Sequence, residues 1–285
     1  MRLVYARPSE LNETLALIAE PARILAGGTD VFPAAGERQL TGRIVDISRL
    51  RELRGVASTN NEVRIGAATT WSDLIREDLP PAFDALRAAA REIGAIQIQN
   101  RGTIGGNLCN ASPAADGVPP LLVLDAEVEL ASTRGRRRLP LAQFITGNRR
   151  TMLGADEVLT AVVVPAQAQG ARSTFLKLGA RRYLVISIAM VAILLEIGGD
   201  GMVRDARIAL GACSAVAQRL PAAEASVIGR PAEPDLSGQL RPEHLAALTP
   251  IGDVRATADY RREAALILIR RALEACLRGE AGGIV

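Results

Sequence analysis

Two adjacent-glycine pairs in similar surroundings constrain this chain more than any other feature of its 285 residues. The first lies in Leu25-Ala26-Gly27-Gly28-Thr29-Asp30 and the second in Thr103-Ile104-Gly105-Gly106-Asn107. A diphosphate is bound by several backbone N–H groups that converge on it, and glycine is favoured where a side chain would block that approach. The pairs therefore predict a bound diphosphate, although a tight turn would account for either pair taken alone.

Neither segment matches the two common phosphate-binding loops. A Rossmann loop needs Gly-x-Gly-x-x-Gly at the start of a helix, and a Walker loop needs Gly-Lys followed by Ser or Thr. After the first pair, Val31-Phe32-Pro33 is predicted to be a poor helix continuation, and residues 107–113 are predicted to be irregular. A doubly wound dinucleotide domain is therefore not expected.

The composition indicates a folded protein without a metal site of its own. Hydrophobic residues make up 48% of the chain, and no apolar run reaches the roughly 20 residues that a membrane span needs. The N-terminus turns polar too early for a secretory signal, so a cytoplasmic location is expected. The cysteines (Cys109, Cys213 and Cys276) lie far apart and His244 is the single histidine, which disfavours metal binding, iron–sulfur ligation and histidine catalysis.

The basic residues offer one unusual position. Lys177 is the only lysine among 34 lysine and arginine residues, which suggests a site where a compact ammonium fits and a planar guanidinium does not. The cluster Arg134–Arg138 lies between a strand expected over 127–131 and Leu139-Pro140, so it is predicted to be a charged hairpin tip. Because the net charge is only +3 and no basic stripe with interleaved aromatics exists, a nucleic-acid partner is not expected.

Hydrophobic periodicity predicts an α+β chain without regular alternation of strands and helices. Leu11, Leu15 and Ile18 share one helix face, and Ser9 is placed to cap that helix. The strongest helical period covers residues 259–278. The other relevant expectations are a strand over 121–130, a helix over 215–228 and a linker over 165–170.

Three segments carry a resemblance to a known family: AGGTD at 26–30, RGTIGGNLCNASPAAD at 101–116 and TADYR at 257–261. Together they resemble the FAD-binding medium subunit of molybdenum hydroxylases, the family of xanthine dehydrogenase, bacterial carbon monoxide dehydrogenase and nicotinate dehydrogenase. The resemblance extends over almost the whole chain, and the 101–116 motif is its most specific part.

The resemblance implies a fold and a domain division. The fold would be α+β, with a vanillyl-alcohol-oxidase-like (PCMH-type) FAD-binding part of two α/β subdomains and a C-terminal α+β domain. The implied boundaries are 1–55 and 56–170 for the two FAD-binding subdomains, and 171–285 for the C-terminal domain.

The resemblance also assigns cofactor-binding positions. Residues 25–31 and 103–107 would embrace the FAD diphosphate, and Asp116 would bind the ribityl or ribose region. Leu159 would contact the adenine end or the ring environment, Lys177 would lie near the flavin, and Tyr183 would lie beside the isoalloxazine. The complete set is Leu25, Ala26, Gly27, Gly28, Thr29, Asp30, Val31, Thr103, Ile104, Gly105, Gly106, Asn107, Asp116, Leu159, Lys177 and Tyr183. Relatives often carry an acidic residue where this chain has Arg182, which changes the expected flavin environment. No catalytic residue and no metal ligand is expected here.

By the same resemblance, the chain would be an electron-transfer subunit of an oxidoreductase. A large subunit with the molybdenum-pterin cofactor would hydroxylate the substrate, and a small subunit with [2Fe–2S] clusters would pass electrons to this FAD. The acceptor would be NAD, a quinone or oxygen. The segments 147–151 and 111–126 look closer to subunits of purine- and N-heterocycle-oxidising enzymes than to those for carbon monoxide.

Other functions remain open at this point. The chain could be a carbon monoxide dehydrogenase-type medium subunit or a stand-alone flavin-dependent oxidoreductase of the same fold. It could also be a non-enzymatic binding protein that keeps both glycine pairs as turns. The scarcity of histidine and tyrosine argues against a stand-alone enzyme, which would need its own acid–base residues.

Overall fold

The structure, a computed structural model, describes residues 2–182 and 184–284, with the side chain of Ile284 left aside. The strands are β1 Leu3–Ala6, β2 Arg23–Leu25, β3 Gly42–Asp46, β4 Val56–Ser58, β5 Glu62–Gly66, β6 Glu127–Ser132, β7 Gly135–Pro140, β8 Ile145–Gly147, β9 Arg150–Thr151, β10 Val158–Pro165, β11 Arg172–Leu178, β12 Ala189–Ile197, β13 Val203–Gly211, β14 Gln218–Arg219 and β15 Gly282–Ile284. The helices are α1 Leu11–Leu17, α2 Val31–Ala35, α3 Trp71–Arg76, α4 Asp84–Glu92, α5 Ile96–Gln99, α6 Ile104–Asn110, α7 Val118–Val123, α8 Leu141–Phe144, α9 Pro221–Val227 and α10 Ala258–Leu277.

The chain divides into two compact units that interleave along the sequence. The first unit contains the chain up to Glu77, Ile96–Ala111 and Ala126–Val164. The second contains Asp78–Ala95, Ser112–Asp125 and the chain from Pro165 onward.

The first unit holds both glycine pairs and is built on two main sheets. The smaller sheet has the order β1-β3-β2 with parallel neighbours, and the larger has the order β4-β5-β10-β6-β7. Leu11, Leu15 and Ile18 from α1 and its end pack with Val45 and Ile47 in one buried cluster. This burial helps to fix β3 and, through its pairing with β3, the end of β2, from which the chain continues into the first glycine pair.

The second unit packs helices on a single sheet of order β14-β13-β12-β11-β15. Its central strands β11, β12 and β13 pair antiparallel, and β15 joins β11 in parallel. Helix α10 lies on β11 and β12 and buries Leu268, Ile269 and Leu273. The apolar period predicted over 259–278 is therefore confirmed, and the helix covers Ala258–Leu277.

Several local predictions were wrong, and each error has an identifiable cause. The N-cap of α1 is Glu10 and not Ser9, whose N–H instead meets Glu13 Oε2 at 3.3 Å. The strand expected over 121–130 is in fact α7 followed by β6, because Pro119 and Pro120 occupy the first turn of a helix, where proline is tolerated. The helix expected over 215–228 is only the seven-residue α9.

The prediction of a hairpin tip at Arg134–Arg138 was also wrong for most of the cluster. Gly135–Pro140 is strand β7, paired antiparallel with β6 at one edge of the larger sheet. Arg136 and Arg138 contact Glu129, and Arg137 contacts Glu157. The cluster is therefore an ion-paired strand, and charged edge strands resist pairing with other chains.

Candidate functional site

The first glycine pair lies between β2 and α2, in contact with the chain that precedes the second pair. A Cβ atom on Gly27 would come within 1.9 Å of the Arg101 carbonyl oxygen. Gly28 has φ +78°, and a Cβ there would approach the Phe32 ring to 2.5 Å. Both glycines are therefore required by the packing and the backbone conformation of this loop.

The loop of the first pair presents a run of backbone donors. Within the part of the chain that the structure describes, no group accepts a hydrogen bond from the N–H groups of Gly27 to Val31, the first residue of α2. The predicted poor helix continuation was wrong, since Val31–Ala35 is a short helix with Pro33 in its first turn. Free N–H groups that open a helix favour an anionic ligand.

The second glycine pair lies inside helix α6, which continues to Asn110. The irregular segment expected over 107–113 is therefore wrong for 107–110, and only residues 111–113 lie outside a helix or strand. Helix α6 begins at Ile104, and the Thr103 hydroxyl caps it by accepting from the Gly106 N–H at 3.0 Å. The N–H groups of Ile104, Gly105 and Asn107 donate to Thr69, Ala67 and Thr103 carbonyl oxygens, respectively. The second pair therefore does not repeat the run of free donors seen in the first.

The glycines of the second pair instead allow close packing on one side and leave space on the other. A Cβ on Gly105 would meet Ala67 Cβ at 2.7 Å. A Cβ on Gly106 would meet only the Thr103 hydroxyl, at 2.9 Å, among the neighbours that the structure describes. Gly106 therefore keeps the start of α6 open to an approaching group.

Asn107 carries an unsatisfied atom beside this opening. Its Oδ1 is buried, and no hydrogen-bond partner for it exists among the described residues. An unpaired buried acceptor costs free energy, so a ligand hydroxyl or N–H that reaches it would stabilise the site. The donors at Gly27–Val31 and the acceptor at Asn107, which have no partner in the described part of the chain, together fit a ligand with both an anionic diphosphate and hydroxyl groups, as FAD has.

Side-chain hydrogen bonds link the first loop to the β8–β9 hairpin. Asn110 Nδ2 donates to Asp30 Oδ1 at 2.7 Å, and Arg149 donates to Asn110 Oδ1. These residues line a cavity of about 470 Å³ together with Arg23 and Arg38. Sequence reasoning missed Asn110 and these arginines as neighbours of Asp30, because only the tertiary fold brings them together.

In the second unit, Asp116 and Lys177 form a buried ion pair. Lys177 Nζ lies 2.6 Å from Asp116 Oδ2, and the Ser187 hydroxyl donates to Asp116 Oδ1 at 2.5 Å. Burial raises the pKa of Asp116, and the charge of Lys177 and the hydrogen bonds from Lys177 and Ser187 oppose that rise. Each carboxylate oxygen has a second lone pair that can accept a further hydrogen bond, so these contacts leave room for a ligand donor. The contact of Asp116 with FAD stays a prediction.

The remaining predicted positions are placed as follows. Leu159 is buried in β10 opposite Leu130, and Tyr183 lies outside the described residues. Burial raises the pKa of the half-buried Cys109 thiol to about 12, so the thiol is neutral near pH 7. No cluster of three or more His, Cys, Asp or Glu side chains suited to a metal ion occurs among the described residues.

None of the described helices is both long enough and apolar enough to cross a membrane.

Comparison with known proteins gives two successive family matches. Residues 1–167 match the FAD binding domain in molybdopterin dehydrogenase, and residues 174–276 match the CO dehydrogenase flavoprotein C-terminal domain. The chain is 34% identical to a putative xanthine dehydrogenase FAD-binding subunit of Escherichia coli (strain K12), with 90% of each chain covered. It is 33% identical to a nicotinate dehydrogenase FAD-subunit of Eubacterium barkeri, with 80% of each covered.

A solved structure extends the likeness to the fold. The reconstituted CO dehydrogenase from Oligotropha carboxidovorans contains a chain that superposes with a TM-score of 0.90 at 28% identity, with 98% of each chain covered. The predicted α+β, PCMH-type fold is thereby confirmed. Because the first family match alone includes more than half of the sequence, this chain belongs to the FAD-binding subunits of the molybdopterin dehydrogenases, a family of oxidoreductases.

Proposed function

We propose that this chain binds one FAD and that the loop Gly27–Val31 holds its diphosphate. The observation that carries the proposal is the run of N–H donors in this loop that find no partner among the described residues, next to the chain that leads into α6. An anion bound there would satisfy donors that the fold leaves open, and it would meet the positive end of α2.

Helix α6 would contribute differently. Thr103 to Gly105 support the site by packing and capping, Gly106 provides open space, and Asn107 Oδ1 would accept a hydrogen bond from a cofactor hydroxyl. Family resemblance supports further contacts with FAD from Leu25, Ala26, Asp116, Leu159, Lys177 and Tyr183.

In this proposal the chain is the electron-transfer subunit of a multi-subunit molybdenum hydroxylase. Its partners are a large subunit with the molybdenum-pterin cofactor and a small subunit with [2Fe–2S] clusters. When bound, FAD supplies the interconversion between single-electron and two-electron transfer. The protein's own part is to bind, orient and shield the cofactor.

The substrate and the acceptor form the finer part of the proposal. We infer a purine or another N-heterocycle as the substrate of the large subunit, on the basis of the segments 147–151 and 111–126. The acceptor is NAD, a quinone or oxygen. A cytoplasmic location is consistent with the free thiols of Cys109, Cys213 and Cys276, which suit a reducing compartment.

The direct experiment is purification of the chain from its native host with its companions. A flavin absorption spectrum, together with one larger and one smaller co-purifying subunit, is the expected result. Turnover of purines or N-heterocycles by the purified assembly would support the inferred substrate class. Turnover of carbon monoxide instead would show that this inference is wrong. A colourless chain that takes up no FAD would refute the proposal.

Gly106→Val tests the loop assignment within the full chain. The branched side chain fills the open space at the start of α6 and displaces the Thr103 hydroxyl, so FAD retention should be lost. The loss of the cap should cost only about 1 kcal/mol of folding free energy, so the chain should remain folded. Absorbance at flavin wavelengths after gel filtration gives the FAD content, and circular dichroism gives the folded fraction.

Gly199→Val is the matched control, because no described atom lies within 4 Å of a Cβ built on Gly199. This control should retain FAD as the wild type does. Full FAD retention by Gly106→Val would show that the start of α6 does not face the cofactor.

A further inference from the structure

The carboxylate of Asp30 forms its hydrogen bond outside the loop to which it belongs. Asp30 is the N-cap residue of α2, a position where Asp usually accepts from the N–H of the second or third helical residue. Here the third residue is Pro33, which has no N–H, and the Phe32 N–H donates to the Gly28 carbonyl oxygen at 3.2 Å. The Asp30 carboxylate instead accepts from Asn110 Nδ2 at 2.7 Å. Its position is therefore set by the last residue of α6.

The Asn110 amide is itself held in one orientation. Its Oδ1 accepts from the Arg149 guanidinium, which leaves Nδ2, the donor side of the amide, directed to Asp30. The Arg149 N–H also donates to the Ala111 carbonyl oxygen at 2.9 Å, so the turn between β8 and β9 is attached to the end of α6. Arg149 (φ +58°) and Ala111 (φ +46°) both have left-handed backbones, which non-glycine residues keep where surrounding contacts require them. The orientation of Asn110 is therefore fixed by both the side chain and the backbone of Arg149.

The charge around the Asp30 carboxylate is positive. Arg23, Arg38 and Arg149 line the same cavity as Asp30, and none of their guanidinium groups pairs with a carboxylate of the described residues. Among the described residues that line this cavity, Asp30 is the only acidic one. The hydrogen bond from Asn110 therefore holds the Asp30 charge where nearby positive charge stabilises it.

The loop that Asp30 closes also contains the donors that need a partner. The N–H groups of Gly27 to Val31 donate to no group among the described residues. Asp side chains readily accept hydrogen bonds from backbone N–H groups a few residues away in the chain, and a carboxylate that did so here would occupy donors that an anionic ligand needs. It would also repel the negative charge of that ligand at short range. A contact that keeps the Asp30 carboxylate away from its own loop therefore favours anion binding.

We infer that Asn110 is a positioning residue, which holds the Asp30 carboxylate away from the N–H groups of Gly27–Val31 and so keeps them available to the cofactor diphosphate. The inference rests on the proposed function, because that function assigns the diphosphate to this loop. Asn110 acts through Asp30 and needs no contact with the cofactor, and Arg149 supports it by orienting the amide. All of these residues belong to the first unit.

The test is a double-mutant cycle on FAD affinity, in which Asn110→Asp is made in the wild-type chain and in Asp30→Asn. Asn110→Asp keeps the shape of the side chain and the acceptor for Arg149, but it replaces the donor to Asp30 with a second carboxylate. The Asp30 carboxylate is then repelled from the end of α6, and the FAD dissociation constant should rise about tenfold. Titration followed by flavin fluorescence measures the dissociation constants.

In the double variant Asp30→Asn/Asn110→Asp, the amide and the carboxylate exchange places, so the hydrogen bond forms in the reverse direction. Asn110→Asp should therefore raise the FAD dissociation constant by less than about twofold when Asp30→Asn is already present. Asp30→Asn alone should bind FAD at least as tightly as wild type, because it removes the competing charge. If Asn110 had only a structural role, Asn110→Asp would cause the same loss in both backgrounds.

Asn148→Asp is the matched control. Asn148 is exposed in the same turn as Arg149, so this variant adds an equal charge next to Arg149 without removing the donor to Asp30. It should leave the FAD dissociation constant within about twofold of wild type.

The contact itself is tested in the FAD-free chain by the melting temperature. Asn110→Asp should lower the melting temperature more in the wild-type background than in Asp30→Asn, by about 2 °C. If Asn110→Asp fails to fold, Asn110→Ala replaces it, and it should weaken FAD binding about threefold with Asp30 present and not in Asp30→Asn.

An equal loss of FAD affinity from Asn110→Asp in both backgrounds would overturn the inference, and so would weaker FAD binding by Asp30→Asn alone. A wild-type chain that takes up no FAD would refute the proposed function and with it the role of Asn110 in binding. The melting temperatures of the FAD-free variants would still show whether Asn110 and Asp30 are coupled.

Discussion

At the scale of single residues, the two glycine pairs have different structural roles although their sequences look alike. Gly27 allows contact with the Arg101 carbonyl, and the N–H groups from Gly27 to Val31 have no partner among the residues that the structure describes. Gly105 allows contact with Ala67, and its own N–H donates to the Ala67 carbonyl oxygen at 2.9 Å. A sequence reveals where a side chain is excluded, but the partner of each N–H is decided by the tertiary fold.

The unpaired acceptor of Asn107 supports a prediction in which stability and binding move in opposite directions. An unsatisfied buried acceptor costs about 1–3 kcal/mol. In Asn107→Ala, removal of that acceptor should leave the unfolding free energy of the FAD-free chain unchanged or raised by up to about 1 kcal/mol. FAD affinity should fall about tenfold, which corresponds to about 1.4 kcal/mol. Urea denaturation and FAD titration measure the two quantities.

Asn100→Ala is the control for this prediction, because Asn100 Oδ1 already accepts from the Ser72 hydroxyl at 2.5 Å. It should lower the unfolding free energy by up to about 1 kcal/mol and leave FAD affinity unchanged. If Asn107→Ala destabilised the FAD-free chain and bound FAD normally, Oδ1 would have to be satisfied within the protein and remote from the cofactor.

At the scale of elements, a helix or strand was predicted correctly where its hydrophobic periodicity is long and regular. Helix α10 was predicted to within a residue at each end, because its apolar period is sustained over 20 residues and Thr257 caps its start. Helix α7 was mistaken for a strand, because a short apolar run has no period that distinguishes the two and its prolines look like breakers. Helices α2 and α6 were missed because glycine and proline lie in their first turns.

The arginines of the edge strand β7 led to the prediction of a hairpin tip where the chain forms a strand. Arginines are typical of solvated turns, but in β7 they meet carboxylates on neighbouring segments. Among the arginines of β7, Arg137 makes the shortest bidentate ion pair, with Glu157, in which the Nε–Oε1 and Nη2–Oε2 distances are both 2.7 Å. Pairing across strands depends on register, which the sequence of β7 alone does not contain.

This pair gives a prediction about pH. Hydrogen bonds from Arg137 hold the pKa of Glu157 below its usual value, against the effect of burial and with further help from the Gly154 N–H. A lowered pKa in the folded state stabilises the fold at pH above the unfolded value, and this contribution disappears as the pH falls through the folded value. Glu157→Gln should therefore lower the unfolding free energy at pH 7 by about 1 kcal/mol, a modest amount because Arg137 is 45% exposed.

The difference between Glu157→Gln and wild type should shrink below pH of about 4.5, as measured by urea denaturation from pH 7 down to pH 4. Glu20→Gln serves as the control. The Glu20 side chain is 71% exposed, so its replacement should change the unfolding free energy by less than about 0.5 kcal/mol at any pH. A pH-independent loss in Glu157→Gln would show that packing rather than charge is responsible.

At the scale of the whole molecule, the sequence was enough to predict the family, but it could not predict which groups of the candidate site are already hydrogen-bonded within the protein. The sequence motifs identified the family, and the matches over residues 1–167 and 174–276 confirm it. Motif resemblance could not show that Asp116 is already engaged by Lys177 and Ser187. It also could not show that, among the described residues, the N–H groups of Gly27–Val31 have no partner while those of Ile104, Gly105 and Asn107 are paired. Both facts depend on contacts that the tertiary fold creates.

The unequal roles of the two loops lead to a prediction about how the whole chain responds to parts of the cofactor. A ligand that binds only the folded state at about 100 times its dissociation constant adds about 2.7 kcal/mol of stability, which raises the melting temperature by several degrees. If the Gly27–Val31 donors hold the diphosphate, FAD should give the largest rise, ADP a smaller one, and FMN, which lacks a diphosphate, almost none. Scanning calorimetry of the purified chain with each ligand at equal concentration measures these shifts. An equal rise with FMN and FAD would mean that the flavin half alone binds, and the free N–H groups of the first loop would then need a different ligand.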